Sequence, residues 1–191
     1  MQVTIDEAFT VNAPRKAAWA LLSDPESIVT CVPGAQITES TGENTYKGKV
    51  SMKVGPVVTN FTGDIRIEKS DEAAGELVLE GSGRDAKGKG SARMRLVGTV
   101  RELGDGQTEV SSAMTLSISG RLAQFGSRLM ADVSRGVFEK FVECFRARLV
   151  SAAAEHEAAA PANAFGLLLG AMKRFCQRLF QGKAYAGDDR E

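Results

Sequence analysis

The chain has 191 residues, of which 43% are hydrophobic and 25% charged, a composition typical of a folded globular protein. This length suits one domain with an appended segment and excludes two full-sized domains. Basic and acidic side chains number 24 each, so no net charge attracts polyanions, and we predict no nucleic-acid partner.

The cysteines do not point to a metal or disulfide framework. Cys31, Cys144 and Cys176 are odd in number, far apart in sequence and without a CxxC or metal-ligand spacing. We therefore predict reduced thiols, no metal site and a cytoplasmic protein. The first residues alternate apolar and polar side chains and do not resemble a signal peptide. The longest apolar run, 164–172, is far shorter than the ~20 residues that span a bilayer.

The N-terminal segment predicts a strand followed by two short helices. Val3, Ile5, Phe9 and Val11 share one parity, which is the period of a strand with one buried face. Proline suits the first turn of a helix, so we expect a helix over 14–22 and a second helical turn over 26–32. Glu7 has the inward parity; a β-bulge or a rim position would explain it, and so would a functional carboxylate.

Six further strands are predicted between residues 35 and 119, where apolar and polar residues alternate between turns rich in Gly, Asp and Asn. After Gly120 the apolar period becomes 3.6, which predicts one helix of about 30 residues. A sheet that must bury its face against a single helix curls around it. The predicted fold is therefore α+β: a seven-stranded curved antiparallel sheet that grips a long C-terminal helix, known as a helix-grip fold.

This fold predicts an apolar cavity between sheet and helix, widened by the small inner residues Gly48, Gly63, Gly81 and Ala92. Methionines on the inner face suit a wall that adapts to a ligand, although they would equally fill an ordinary core. The predicted ligand-binding residues are the apolar inner-facing ones: Tyr46, Met52, Val54, Phe61, Ile65, Leu79, Met94, Leu96, Met114, Leu116, Met130, Val133, Val137 and Phe141.

The C-terminal part predicts a membrane-binding helix. Residues 151–164 are Ala-rich and indicate a tether, 165–183 an amphipathic helix, and 184–191 a disordered C-terminus. An apolar arc faces a basic side in 165–183, as in helices that lie in the membrane interface. A partner's groove or the domain's own surface would also accept this arc. The predicted membrane-binding residues are Phe165, Leu168, Leu169, Met172, Lys173, Arg174, Phe175, Arg178, Leu179 and Phe180.

Catalytic patterns are missing, and we predict no catalytic residues. The one histidine, His156, lies in the tether, so the domain offers no Ser-His or Cys-His pair. The stretch GSGRDAKGKG at 81–90 lacks the spacing of a phosphate-binding loop and leads into a strand, which predicts a hairpin. Glu7, Tyr46 and Asp64 are isolated candidates for acid or base.

Four segments together resemble CoxG, a family of carbon monoxide dehydrogenase subunits within the START/Bet v 1-like (SRPBCC) superfamily. They are FTVNAPRKAAWALLSDPESIVTCVPGAQ, YKGKVSMKVGPVVTNFTGDI, EGSGRDAKGKGSARMRL and GRLAQFGSRLMADV. The resemblance covers roughly residues 1–150, the predicted helix-grip domain. It implies a non-catalytic accessory protein of a molybdenum hydroxylase of the carbon monoxide dehydrogenase type.

The resemblance further implies that the cavity binds a lipid-soluble molecule, a quinone, without a metal or covalent cofactor, and that the protein links the enzyme to the membrane. Its location would be cytoplasmic, peripheral on the inner face of the cell membrane. One alternative is a membrane-recruitment adaptor with a filled core and no ligand. Another is a cyclase-like or hydrolase-like enzyme that uses Glu7, Tyr46 or Asp64.

Overall fold

The computed structural model describes residues 1–55, 57–88 and 90–159, except the side chains of 155–159. The predicted amphipathic helix at 165–183, with all its predicted membrane-binding residues, lies outside the described residues. None of the described helices is long and apolar enough to cross a membrane.

The N-terminal elements follow the predicted order. Strand β1 spans Gln2–Val11, helix α1 spans Arg15–Leu22 and helix α2 spans Pro25–Val29. Pro14 precedes α1 as its N-cap residue. After α2 the helical turn continues to Val32, as predicted, because the Cys31 and Val32 amides donate to the Ile28 and Val29 carbonyls. The pairing of β1 is continuous, without a bulge, so Glu7 points inward and is half-buried.

The remaining strands form one antiparallel meander. They are β2 (Ala35–Gly42), β3 (Thr45–Val54), β4 (Val57–Asp71), β5 (Glu76–Asp85), β6 (Ser91–Gly104) and β7 (Gln107–Ile118). The seven strands lie in the order β1-β7-β6-β5-β4-β3-β2, so β1 and β2 are the two edges. The segment 81–90 forms the predicted hairpin between β5 and β6, closed by the Asp85 amide, which donates to the Gly90 carbonyl.

The long helix α3 spans Gly126–Ala159 and follows a short 3-10 helix, Gly120–Phe125. Since one helix must cover the whole apolar face, it contacts different strands at its two halves. Early in α3, Met130 packs with Val3, Val54, Ile118 and Leu122, the cavity-end cluster. Late in α3, Phe145 and Leu149 pack with the far-end cluster, whose other members are Val11, Ala18, Trp19, Leu77, Val100 and Val110.

Aromatic rings fix the far end of the core. Phe145 is fully buried, and its ring meets that of Phe9 edge to face at 5.5 Å. Phe141 stacks on Phe145 at 5.7 Å. Such ring pairs add to the stabilisation from burial alone. This end of the core is therefore closely packed.

The prediction of reduced thiols is wrong for two of the cysteines. Cys31, after α2, forms a disulfide with Cys144 on α3, across 113 positions in sequence, with the two Cα atoms 5.3 Å apart. Cys31 is almost fully buried. Sequence spacing does not show this pairing, because the fold alone brings the two positions together.

Candidate functional site

Small residues form a row across the concave face of the sheet. Gly48 pairs with Gly63, Gly63 with Gly83, Gly83 with Ala92, and Ala92 with Ile118. Four adjacent strands therefore carry little or no side chain at the same level. Because these residues have little or no side chain, a space remains between the sheet and α3 that larger side chains would fill.

An apolar cavity of about 210 Å³ lies above this row and is partly open to solvent. Its walls come from Val29 of α2, from Leu122 of the 3-10 helix and from Met130 near the start of α3. Inward-facing side chains of the sheet complete them. The strand side chains that line it include Met52, Phe61, Ile65, Ala92, Met94 and Leu116. Polar atoms make up very little of the surface that lines the cavity, so the cavity suits an apolar ligand.

Six of the fourteen predicted ligand-binding residues line this cavity: Met52, Phe61, Ile65, Met94, Leu116 and Met130. The other eight do not. Val54 is fully buried in the cavity-end cluster, where Val133 packs too, and Leu79 and Phe141 pack on the far-end cluster. The remaining four, which also lie away from the cavity lining, are Tyr46, Leu96, Met114 and Val137.

Several lining residues were missed by sequence reasoning. Gly83 and Ile118 have the inward parity of their strands, so the alternation alone was enough to find them. Val29 and Leu122 carried no such signal, because they lie in short helices whose placement depends on the tertiary fold.

Three interactions fasten α2, one wall of the cavity. The Asp24 carboxylate caps its N-terminus by accepting from the Glu26 amide at 3.1 Å, and a hydrogen bond from Ser27 lowers the pKa of Asp24. The Arg148 guanidinium donates to the Thr30 hydroxyl at 2.6 Å. The disulfide from Cys31 then ties the end of this segment to α3. Val29 is thus held against the cavity from both ends of α2.

A second concavity, the outer groove, lies on the convex face of the sheet and measures about 540 Å³. Its lining carries charged side chains, Arg66, Arg93 and Arg95 beside Asp64 and Glu80. Arg95 lies 3.4 Å from Glu68 and 3.9 Å from Glu80. Within the described part of the chain, Arg66 and Arg93 have no ion-pair partner.

The three candidates for acid–base chemistry do not meet in one place. Glu7 lies on the edge strand β1, and four strands separate it from Tyr46 on β3. Asp64 alternates with the inward Gly63 and Ile65, so it points to the convex face. An acid–base pair must reach the same reacting atoms, and Asp64 lies on the opposite face of the sheet from Glu7 and Tyr46.

Comparison with protein families gives one match. The family model for CoxG, a carbon monoxide dehydrogenase subunit, matches residues 8–150, more than half of the chain. No curated protein matches the sequence significantly.

Solved structures show the same fold. A conserved protein from Geobacillus kaustophilus is 17% identical, with a TM-score of 0.70 over 79% of this chain and 96% of that chain. A START superfamily protein from Mycobacterium smegmatis is 9% identical, with a TM-score of 0.54 over 78% and 97%. Ara h 8.0201 is 17% identical, with a TM-score of 0.52 over 79% and 99%. These likenesses establish the START/Bet v 1-like helix-grip fold predicted from the sequence.

Proposed function

The chain belongs to the CoxG family of carbon monoxide dehydrogenase subunits, and from this membership and the apolar cavity we propose that it is a non-catalytic accessory protein that binds a lipid-soluble molecule. The enzyme it serves would be a molybdenum hydroxylase of the carbon monoxide dehydrogenase type. The observation that carries the proposal is the cavity, whose floor is a row of small residues and whose walls are almost wholly apolar.

The proposed ligand is a quinone. A dehydrogenase must pass its electrons to an acceptor, and a quinone is an acceptor that dissolves in the membrane. The cavity volume, about 210 Å³, is below the 300–1,000 Å³ common for ligand sites, so it suits the ring and the first carbons of a longer molecule. Met52, Met94 and Met130 are unbranched and flexible, and their movement would lengthen the space for the chain.

The absence of convergent acid–base groups supports a binding role. Glu7, Tyr46 and Asp64 lie on separate strands or faces. Among the described residues, two titratable ones line the cavity, Lys49 and Asp64, and both have the outward parity of their strands. A ligand in this cavity would gain about 0.8 kcal/mol for each buried CH₂ group. Such a site retains an apolar molecule without transforming it.

Filling the cavity is expected to weaken quinone binding about tenfold or more. Ala92 lies in the row between Gly83 and Ile118, so an Ala92→Phe ring would occupy the space of several ligand carbons, each CH₂ being worth about 0.8 kcal/mol. Binding is measured by the quinone-dependent shift in melting temperature, since Trp19 lies in the far-end cluster and its emission would not report on the cavity.

The matched control is Ala113→Phe, which places the same ring on the exposed convex face. It should leave quinone binding unchanged. Equal affinity in the two variants would show that the ligand, if bound, lies outside this cavity.

We also propose that the C-terminal segment binds the membrane. Residues 165–183 would hold the domain at the inner face of the cell membrane, where a lipid-soluble ligand is exchanged. Truncation before Ala164 should then weaken membrane binding, while the domain keeps its melting temperature and its quinone affinity.

The outer groove favours one second candidate, an adaptor that recruits the enzyme without carrying a ligand. The guanidinium groups of Arg66 and Arg93, which have no ion-pair partner among the described residues, would donate to carboxylates of a protein partner. In that case Ala92→Phe would leave recruitment of the dehydrogenase unchanged, whereas Arg93→Glu would abolish it.

A further inference from the structure

Charge is segregated between the two ends of the sheet, although the chain as a whole is neutral. In a meander, alternate turns lie at the same end. The turns at 39–45, 68–76 and 101–109 hold nine acidic and two basic side chains. The two basic ones are already paired, Lys69 with Glu76 at 2.9 Å and Arg101 with Glu109 at 3.0 Å. These turns therefore carry a net negative charge, although Arg15 of α1 lies beside them and donates to the Glu72 and Ala73 carbonyls.

The cavity end is basic. It is built from the β3–β4 turn, the β5–β6 turn and the segment that leads from β7 into α3. The described residues there hold five exposed cations and one acid, Asp85; the cations are Lys53, Arg84, Lys87, Arg121 and Arg128. Asp85 is engaged within its own turn, where it accepts from the Lys87 amide at 3.2 Å. The first acid along α3 is Asp132.

These three segments touch one another. A Cβ atom on Gly55 would lie 3.8 Å from Leu129 at the start of α3. The Ala86 amide of the β5–β6 turn donates to the Asn60 carbonyl of β4 at 2.8 Å, and the hydroxyls of Ser91 and Ser119 lie 2.8 Å apart. The cations thus surround one continuous surface. Across the described part of the chain, none of their side chains has an ion-pair partner.

An apolar side chain projects from the same surface. Val58 is 61% exposed, on the outer face of β4 directly opposite Lys53. The cavity-end cluster lies next to this surface, since its member Val54 directly precedes Gly55. Four side chains in or against that cluster also line the apolar cavity: Met52, Phe61, Leu122 and Met130. An exposed apolar side chain surrounded by cations is typical of a surface that binds a bilayer containing anionic lipids.

We propose that the cavity end of the domain docks on an anionic lipid surface, with Lys53, Lys87 and Val58 at the contact, as a second attachment independent of the tail. This docking rests on the proposed function in one respect: it would bring the end of the domain that borders the ligand cavity close to the bilayer. The acidic far end would face away from the membrane, because like charges repel it.

A fluorescent probe at position 58 tests this in the full chain. Val58→Cys is labelled with an environment-sensitive dye in a Cys176→Ser background, and Ser40→Cys, at the acidic end, is the matched control. With phosphatidylglycerol-containing vesicles, emission from position 58 should shift to the blue and emission from position 40 should not. Equal responses at the two positions, or none at position 58 while the chain is vesicle-bound, would overturn the docking.

Charge neutralisation gives a second readout. The double variant Lys53→Gln, Lys87→Gln should bind vesicles with an apparent affinity about 25-fold weaker, as reported by the probe at position 58. Each lysine near an anionic surface contributes about 1 kcal/mol. Lys16→Gln with Lys140→Gln makes the same change in net charge elsewhere and should have little effect.

The outcomes separate docking from ligand carriage. Normal quinone binding without a probe response would overturn the docking and leave carriage standing. A probe response in a protein that takes up no quinone would support the docking and overturn carriage. Unchanged vesicle binding with weakened binding to the dehydrogenase in the Lys53→Gln, Lys87→Gln variant would assign this surface to a protein partner and overturn the lipid docking.

Discussion

Replacing Gly63 with alanine is expected to lower the free energy of unfolding by about 3 kcal/mol or more, or to prevent folding. A Cβ atom at this position would lie 1.9 Å from the Ser82 carbonyl oxygen and 2.5 Å from the Gly83 Cα atom. Both obstacles are backbone atoms of the neighbouring strand, which cannot rotate away as a side chain can. The strands β4 and β5 would have to separate in the middle of the sheet.

Gly83 provides the matched control, because it pairs directly with Gly63 in the same row. A Cβ there would meet its nearest atom, the Thr62 carbonyl oxygen, at 3.4 Å. Gly83→Ala should therefore fold and unfold at nearly the wild-type urea concentration. If both variants were equally stable, the close approach of β4 and β5 at Gly63 would be wrong. Glycine at this point also permits the bend that curls the sheet around α3.

Breaking the Cys31–Cys144 disulfide is expected to cost about 3–5 kcal/mol of stability. The bridge closes a loop of more than a hundred residues, and a loop of that size restricts the unfolded chain strongly. Urea unfolding of the protein with and without reductant measures the difference. Cys31→Ser should reproduce the effect of reductant, whereas Cys176→Ser should leave stability unchanged.

Thiol titration gives an independent check on the same bridge. The chain has three cysteines, so the native oxidised protein should show one free thiol, that of Cys176. Three titrating thiols in protein purified without reductant would contradict the bridge. Because α2 carries Val29 into the cavity wall, loss of the bridge should also weaken quinone binding, through greater freedom of that wall.

The alternation of side chains predicted the architecture well. The parity of Val3, Ile5, Phe9 and Val11 placed β1 correctly, and it also pointed Glu7 inward, where the structure has it. The change to a 3.6 period after Gly120 predicted α3. These signals are local, because each strand or helix must present one apolar face to the core whatever its partners are.

Contacts between segments that are distant in sequence could not be predicted from these local patterns. The disulfide depends on the folding of α2 against α3, and the prediction of free thiols failed for that reason. Parity predicted which side chains point inward but not which of them face empty space. Leu96 and Met114 point inward as predicted, yet α3 and its neighbours leave the cavity nearer to Met94 and Leu116.

The separation of charge between the two ends of the sheet could have been predicted from the sequence but was not. Alternate turns of a meander lie at the same end, so the acids of 39–45, 68–76 and 101–109 had to gather at one end of the sheet. Counting charge over the whole chain gave zero and concealed this separation.

Native mass spectrometry of the protein purified from its own membrane fraction, followed by organic extraction, tests ligand carriage most directly. We expect one isoprenoid quinone for each chain, lost in Ala92→Phe and kept in Ala113→Phe. A protein that carries no lipid, and that takes up none from quinone-loaded vesicles, would contradict carriage and leave the adaptor as the better account.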